Sequence, residues 1–220
     1  MSSVGMPIDP WPLIRKRTSM ARANALHLVV HGRSGGAVPA CIHSLISELR
    51  ERRQAPIQLE TLTADSIPPK SVEPVLLVPL LLWPGAHVRQ DLPAIRRRLR
   101  LAGNDVTMLP FLGAWPLWWQ LVASLLDVTA AQTAVLVHHP LRSGVADRFL
   151  AHLSNRLERP LIALDRWAAY QNAHPGSVPL PIALAPNRMT EALSEADGLP
   201  PLLDHSLIRQ GLIDLLAALP

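Results

Sequence analysis

The stretch VLLVPLLLWPGAHVRQDLP, residues 75–93, joins a strand, a turn and a histidine in a way that decides the fold. Residues 75–83 are apolar at nearly every position, as is typical of a parallel strand buried on both faces. Pro84 and Gly85 end this strand, and His87 follows at once. Open α/β folds keep their ligand sites at the carboxyl ends of the strands. The stretch therefore predicts an imidazole at such an edge.

The segments around this stretch alternate between strand and helix patterns. ALHLVVHG at 25–32 is predicted to be a first strand, and apolar residues at helical spacing follow it at 41–49. IQLETLTA at 57–64 and DVTMLPFLG at 105–113 are predicted as further strands, with a closing helix in PLWWQLVASLLD at 116–127. This alternation predicts an α/β fold with a small parallel sheet flanked by helices.

The same plan recurs later in the chain. TAVLVHHPLRSGVADRFLAHLSNRLE at 133–158 repeats the pattern of residues 29–51, and PLLDHSLIRQGLIDLL at 201–216 matches residues 111–126. We therefore predict a flexible leader at 1–24 and two similar halves at 25–128 and 132–220. A cleft between two such halves is a natural ligand site.

The middle of the second half fits this plan less well. PLIALDRWAAY at 160–170 is predicted as its second strand and VPLPIALAP at 178–186 as its third. We expect Pro179 and Pro181 to interrupt strand pairing there. Where the first half has His87, the second half has Met189.

The composition excludes several classes of protein. Hydrophobic residues make up 49% and charged residues 17% of the 220 residues, which is a globular composition. No apolar run reaches the roughly 18 residues of a membrane span, and no secretory signal is recognisable. The one cysteine, Cys41, excludes an internal disulfide. We predict a cytoplasmic protein with no membrane partner.

The net charge of +4 is compatible with an anionic partner, because arginine binds carboxylates and phosphates well. The run of three arginines at 96–98 is more typical of a solvated helix face, and nothing resembles a nucleic-acid-binding motif. Both a monomer and a homodimer are compatible with the sequence. The Trp-rich corner at 115–119 is a possible interface.

Two histidines are the main candidates for chemistry. His31 ends the first strand and His87 follows the third, so both are expected at one sheet edge. Two neutral imidazoles can bind a divalent ion or accept protons near neutral pH. Glu60, on the second strand, could orient an imidazole or accept a proton. Purely structural roles stay open for all three residues.

Other motifs are weaker. His138 and His139 point to opposite faces of an extended chain, so at most one of them joins the cleft. HGRSGG at 31–36 could hold an anion on its backbone amides, but it lacks the lysine of a P-loop. A phosphate-ester binder is therefore a minor alternative.

Together, LVVHGRSGG, VLLVPLLLWPGAHVRQDLP and VTMLPFLGAWP resemble the class II tetrapyrrole chelatases, which include the sirohydrochlorin cobaltochelatases and ferrochelatases. The resemblance covers the first half well and the second half faintly. It implies a chelatase-like fold in two halves, the second degenerate. It also implies insertion of Co²⁺ or Fe²⁺ into an anionic tetrapyrrole without ATP, in siroheme or cobalamin biosynthesis. The metal is then a substrate, and no permanently bound cofactor is expected.

By this resemblance His31 and His87 would bind the metal and accept protons, with Glu60 as a third catalytic residue. Arg33, Ser34 and Arg89 would hold the carboxylates of the macrocycle. We also assign His139 to substrate binding. The alternative is an inactive homologue that binds a tetrapyrrole or metal, or regulates a partner.

The sequence also departs from the family pattern. An ungapped alignment places Thr61, and not Glu60, at the family's acidic position on the second strand. A shift of one residue turns a strand side chain to the other face. Trp115 stands where a histidine is common, and the second half has Met189 in place of a second histidine. We therefore expect at most one active centre per chain.

Overall fold

The computed structural model describes residues 10–15, 24–62, 71–128, 134–142, 144–195 and 197–220. Its N-terminal half contains one parallel sheet of four strands in the order β2-β1-β3-β4. The strands are β1 (Ala25–Val30), β2 (Ile57–Thr61), β3 (Val75–Pro79) and β4 (Val106–Met108). The helices are α1 (Pro12–Arg15), α2 (Ala40–Arg52), α3 (Leu92–Leu101) and α4 (Pro116–Val128).

The C-terminal half contains a smaller parallel sheet of three strands in the order β6-β5-β7. Its strands are β5 (Ala134–His138), β6 (Leu161–Ala163) and β7 (Val178–Pro181). Its helices are α5 (Val145–Leu157), α6 (Leu164–Ala173), α7 (Arg188–Ser194) and α8 (Ser206–Ala217). The α/β fold with two similar halves is therefore confirmed. The prediction of a strand over residues 160–170 is wrong for most of that segment. The strand ends at Ala163, and α6 begins at Leu164.

Prolines occupy the outer edge of β7, which is an edge strand of the described second sheet. The backbone of Pro179 faces away from β5, and its carbonyl accepts a hydrogen bond from the Leu199 amide at 2.8 Å. The Ile182 amide faces the other way and donates to Val137 O at 2.8 Å. Pro179 and Pro181 therefore do not interrupt the pairing of β7 with β5, which corrects the expectation from the sequence. Proline on an edge strand need not remove a ladder hydrogen bond.

One apolar core joins the two halves. It contains Leu26, Leu28 and Leu76 from the first sheet, Leu136 and Leu180 from the second, and side chains of α2, α4, α5 and α8. Burying a leucine completely contributes roughly 1.5–3 kcal/mol relative to leaving it exposed. Two smaller cores cover the outer faces of the sheets, with α3 on the first sheet and α6 and α7 on the second.

The Trp-rich corner packs inside the chain, so it is not an exposed interface. Trp115, Trp118 and Trp119 are all buried. The indole N–H of Trp115 donates to Pro110 O at 2.8 Å, and that of Trp119 donates to Gly113 O at 2.7 Å.

Part of the predicted leader is ordered against this corner. Trp11 is buried, its ring centroid lies 4.6 Å from that of Trp115, and its indole N–H donates to Leu215 O at 2.8 Å. The prediction of a flexible leader does not hold for residues 10–15. The rest of the leader, apart from Asn24, lies outside the described residues, as does the loop at 63–70. None of the described helices is long and apolar enough to cross a membrane.

Candidate functional site

A cleft of about 760 Å³ lies between the two halves. The carboxyl ends of strands from both sheets line it, as expected for an open parallel sheet. The first half contributes residues 30–33, 80–83, Gly85 and His87, and the second contributes His139, Leu141, 182–188 and Glu191. The walls are mainly aliphatic and carry a few imidazole, guanidinium and carboxylate groups. Pockets of this size and character bind small organic molecules.

One wall of the cleft is an extension of β3 that is hydrogen-bonded to the chain on either side of it. The Leu80 amide donates to Val29 O at 2.8 Å, and the Gly113 amide donates to Leu81 O at 3.0 Å. Gly113 packs so closely on this wall that an added Cβ atom would lie 1.9 Å from Leu82 O. A glycine is therefore required there. The half-buried Trp83 ends the wall, with its ring centroid 5.4 Å from that of His138.

His31 and His87 lie together at the carboxyl edge of the first sheet. Their ring centroids are 4.9 Å apart, and the rings are nearly perpendicular, at 88°. Both side chains are exposed at the cleft, and both line it. The structure therefore brings together the two histidines that the sequence predicted as a pair.

The hydrogen bonds of the two rings favour one tautomer. His31 Nδ1 lies 2.9 Å from Gly32 O, and His87 Nδ1 lies 2.5 Å from an Asp91 carboxylate oxygen. Both partners are acceptors, so each Nδ1 carries the proton. Nε2 of each neutral ring is then a lone-pair donor, and no described residue hydrogen-bonds to it. These two atoms can bind a metal ion or accept a proton.

His87 begins a short π-helical turn, His87–Asp91, that continues directly into α3. The Leu92 amide donates to His87 O across five residues. π-turns inside helices occur often at functional sites. This turn places Asp91 beside His87, so the carboxylate holds the ring.

Glu60 is not brought to the histidine pair. It pairs in register with Val29 on the outer face of the sheet. There its buried carboxylate accepts from His27 Nε2 at 2.7 Å and also binds Arg98 of α3. Burial raises the pKa of Glu60, but His27 and Arg98 outweigh that effect, so the pKa lies below its usual value. The assignment of Glu60 as a catalytic residue is corrected by this placement.

Thr61 lies on the opposite face, in register with Val30, which lines the cleft. The strand register thus agrees with the ungapped alignment and not with a one-residue slip. The described residues contain no group of three or more acidic, histidine or cysteine side chains arranged to hold a metal. Two imidazoles alone leave coordination positions open for other ligands of an incoming ion.

The second half contributes His139 to the cleft, and His138 is buried behind it. Desolvation and the neighbouring His31 both lower the pKa of His139. Burial lowers the pKa of His138, whose Nδ1 lies 2.6 Å from the carbonyl oxygen of His139. As predicted for adjacent strand residues, only one of the two lines the cleft. His139 is therefore neutral at pH 7 and lines the same cleft as the histidine pair.

The other predicted binding residues have different positions. Arg33 lines the cleft and donates to Pro186 O and Glu191 of the second half. Arg89 is exposed on the π-helical turn and does not line the cleft. Ser34 begins a 3-10 turn, Ser34–Gly36, beside the cleft, and its side chain is outside the described part.

Sequence reasoning missed the contribution of the loop after β7 and of the first residues of α7. Asn187, Arg188 and Glu191 all line the cleft, and Asn187 also caps α7 by accepting from the Met189 and Thr190 amides. The signal for this cap was the asparagine three residues before a threonine at the start of an apolar helix. Met189 itself is fully buried in the outer core of the second half.

Two parallel sheets whose carboxyl edges share a cleft, with a histidine pair on one of them, make up a two-half α/β fold. Residues 25–128, the whole N-terminal half, match the family model described as CbiX. The resemblance to the class II chelatases is therefore confirmed, on the family's sequence pattern in that half and its fold over both halves.

Several solved structures share this fold. The sirohydrochlorin chelatase SirB from Bacillus subtilis subspecies spizizenii, in complex with cobalt, is 16% identical with a TM-score of 0.56 over 88% of this chain and 93% of its own. SirB from Bacillus subtilis with Fe³⁺ is 15% identical, with a TM-score of 0.62 over 89% and 94%.

A third similar structure is CbiX, the terminal enzyme for siroheme biosynthesis in denitrifying bacteria. It is 23% identical, with a TM-score of 0.58 over 89% of this chain and 98% of that one. No curated protein matches the sequence significantly.

Proposed function

We propose that the protein inserts Co²⁺ or Fe²⁺ into an anionic, sirohydrochlorin-like tetrapyrrole without ATP. The observation that carries this proposal is the His31–His87 pair, with ring centroids 4.9 Å apart at the edge of a cleft of about 760 Å³. The match of the N-terminal half to the CbiX family supports it. In this proposal the ion is a substrate and not a resident cofactor.

Metal insertion exchanges two protons of the macrocycle for one divalent metal ion. A divalent ion enters as two pyrrole N–H protons leave, so charge is balanced within the ring. His31 and His87 hold the arriving ion through their Nε2 atoms and replace part of its water shell. After transfer of the ion, the same nitrogens accept the released protons. Asp91 and Gly32 O keep the acceptor atom of each ring available.

The walls of the cleft fit a flat macrocycle with charged edges. Leu80, Leu82 and Ile182 provide apolar surface for the ring plane. Arg33 and Arg188 lie on the same cleft and can bind peripheral carboxylates. The metal determines the pathway in this proposal, with iron leading to siroheme and cobalt to cobalamin.

The test is anaerobic incubation of the protein with sirohydrochlorin and Co²⁺, Fe²⁺ or Ni²⁺ in turn, followed by absorption spectroscopy. We expect at least one ion to give the metallated spectrum faster than the same mixture without protein, with no nucleotide added. Equal rates with and without protein for every ion would contradict the proposal.

A second candidate is a homologue that binds the macrocycle without inserting metal. The outward placement of Glu60 favours it, because the first sheet then has no described carboxylate beside the histidines except Asp91. Quenching of the macrocycle's fluorescence by the protein, without any metallation, would select this candidate.

A further inference from the structure

Arg33 connects the two halves across the opening of the cleft. Its guanidinium group donates to Pro186 O, from Nη2 at 3.0 Å and from Nε at 3.3 Å. Nη2 also donates to a Glu191 carboxylate oxygen at 3.2 Å. Arg33 follows β1, whereas Pro186 and Glu191 belong to the loop after β7 and to α7. All three residues line the cleft, so a ligand that enters meets this contact.

The Arg33–Glu191 pair is weak enough to exchange. The two side chains are 46% and 61% exposed, and the pair uses a single guanidinium nitrogen. Exposed ion pairs of this kind contribute about 0–1 kcal/mol. A carboxylate that approaches with two oxygens can form the stronger, bidentate contact with the same guanidinium.

The displaced Glu191 carboxylate has a second cation nearby. Arg188 lies three residues earlier on the same short helix, a spacing at which oppositely charged side chains interact. Arg188 lines the cleft, and no described carboxylate forms an ion pair with it. After release from Arg33, the Glu191 carboxylate can therefore pair with Arg188.

We propose that Glu191 is an internal competitor for Arg33, which occupies the guanidinium group until a carboxylate of the macrocycle displaces it. This inference rests on the proposed function and makes Arg33 the residue at which a peripheral carboxylate of the macrocycle replaces Glu191. A ligand with many carboxylates can replace Glu191 in many orientations, whereas a ligand without carboxylates cannot replace it.

The experiment measures the affinity of the full chain for a porphyrin with eight peripheral carboxylates, by fluorescence titration at low salt. Glu191→Gln removes the competing charge and leaves Arg33 in place. We expect this variant to bind about threefold to fivefold more tightly than the wild type, which corresponds to an exposed pair of up to 1 kcal/mol. For a porphyrin with two carboxylates the gain should be no larger, because fewer of its bound orientations place a carboxylate on Arg33, and a porphyrin without carboxylates should show no gain.

The chain offers a matched control for the change in charge. Arg52 of α2 and Asp214 of α8 form another exposed arginine–carboxylate pair between the halves, with side chains 42% and 60% exposed. Neither residue lines the cleft. Asp214→Asn changes the net charge by the same amount, and we expect it to leave the affinity unchanged. In an Arg33→Gln background, Glu191→Gln should also have no effect.

Three results would overturn the inference while leaving the proposed function intact. They are an unchanged or weaker affinity of Glu191→Gln, an equal gain with Asp214→Asn, and a gain that persists in the Arg33→Gln background. A wild-type protein that binds neither porphyrin nor sirohydrochlorin would instead overturn the proposed function, and this inference with it.

Discussion

The two halves have the same arrangement of strands and helices, but they differ in the segment that connects the third strand to the next helix. In the first half, a π-helical turn after the β3 wall presents His87 to the cleft. In the second half, Asn187 caps a regular helix, and Met189 is buried in the outer core. The comparison shows that the start of the helix decides whether a side chain at this position reaches the cleft.

The outer faces of the two sheets differ as well. The first carries the buried network of His27, Glu60 and Arg98. In the second sheet Ile162 pairs with Val137, as Glu60 pairs with Val29, and the surrounding core is apolar. The position filled by an ion-pair network in one half is thus filled by hydrophobic packing in the other.

The largest expected effect concerns the histidines. His31→Ala and His87→Ala should each lower the rate of metal insertion by about a hundredfold to ten-thousandfold, because each removes a ligand and proton acceptor. His139→Ala, the equivalent change in the second half, should cost less than about tenfold. Initial rates of metallation measure all three.

His152, exposed on α5, provides the control, and His152→Ala should match the wild type. Equal losses for His87→Ala and His139→Ala would show that the two halves share the centre.

The next effect tests the buried network. Glu60→Gln leaves Arg98 and His27 without a buried carboxylate, so it should lower the free energy of unfolding by about 3 kcal/mol. Insertion by the folded variant should stay within about tenfold of the wild type. Urea denaturation measures the change in the free energy of unfolding, and initial rates of metallation measure the change in insertion.

Glu48→Gln, which breaks the half-exposed 3.7 Å pair with Arg209, is the control and should change stability by less than about 0.5 kcal/mol. A hundredfold loss of insertion at unchanged stability would instead make Glu60 a catalytic residue.

A smaller effect asks whether the second half can regain a centre. Met189→His places an imidazole in an apolar core without a described hydrogen-bond partner, so it should cost about 2 kcal/mol of stability. It should add no Co²⁺ site, as measured by binding stoichiometry.

Met189→Leu conserves volume and should cost less than about 1.5 kcal/mol. An additional Co²⁺ bound by Met189→His would show that the buried position can open to the cleft.

The smallest effect is a difference in pH dependence. The pKa values of His138 and His139 are lowered from about 6.5, so the unfolded chain binds more protons than the native one as pH falls below 6.5. The stability contributed by these two groups is therefore present above pH 6.5 and is lost on acidification. The pKa of Glu60 is lowered from about 4.5, so the ionised Glu60 carboxylate stabilises the native state above that pH. This stabilisation of the first half is lost only below pH 4.5.

Between pH 7 and 5.5, the free energy of unfolding should fall by at most about 1.4 kcal/mol per pH unit for each histidine. His138→Gln should reduce that slope, whereas Glu60→Gln should leave it unchanged. If the unfolding free energy of His138→Gln depended on pH as steeply as that of the wild type, His138 would not be a source of the pH dependence.

Much of this architecture was predictable from local patterns. Strand–turn–histidine segments placed His31 and His87 at one sheet edge, because the carboxyl ends of parallel strands meet there. The orientation of Glu60 was less accessible, since it depends on the pairing register of β2 with β1, and a one-residue slip reverses the face.

The contact of Arg33 with Glu191 could not be predicted, because 158 residues separate the partners and only the packing of the halves unites them. Helix α6 was missed because β6 ends after three residues and its apolar sequence continues into the helix. A short apolar run is compatible with the residue spacing of a strand and with that of a helix.

The turn at His87–Asp91 makes the centre vulnerable to a single deletion. A π-turn holds one residue more than the α-helix it interrupts, so loss of one codon, such as that of Gln90, would restore a regular helix. Each residue of an α-helix rotates the chain by about 100°, and His87 would swing away from His31 by that angle. The folded body would persist, while the proposed metal-binding pair would be lost in one mutational step.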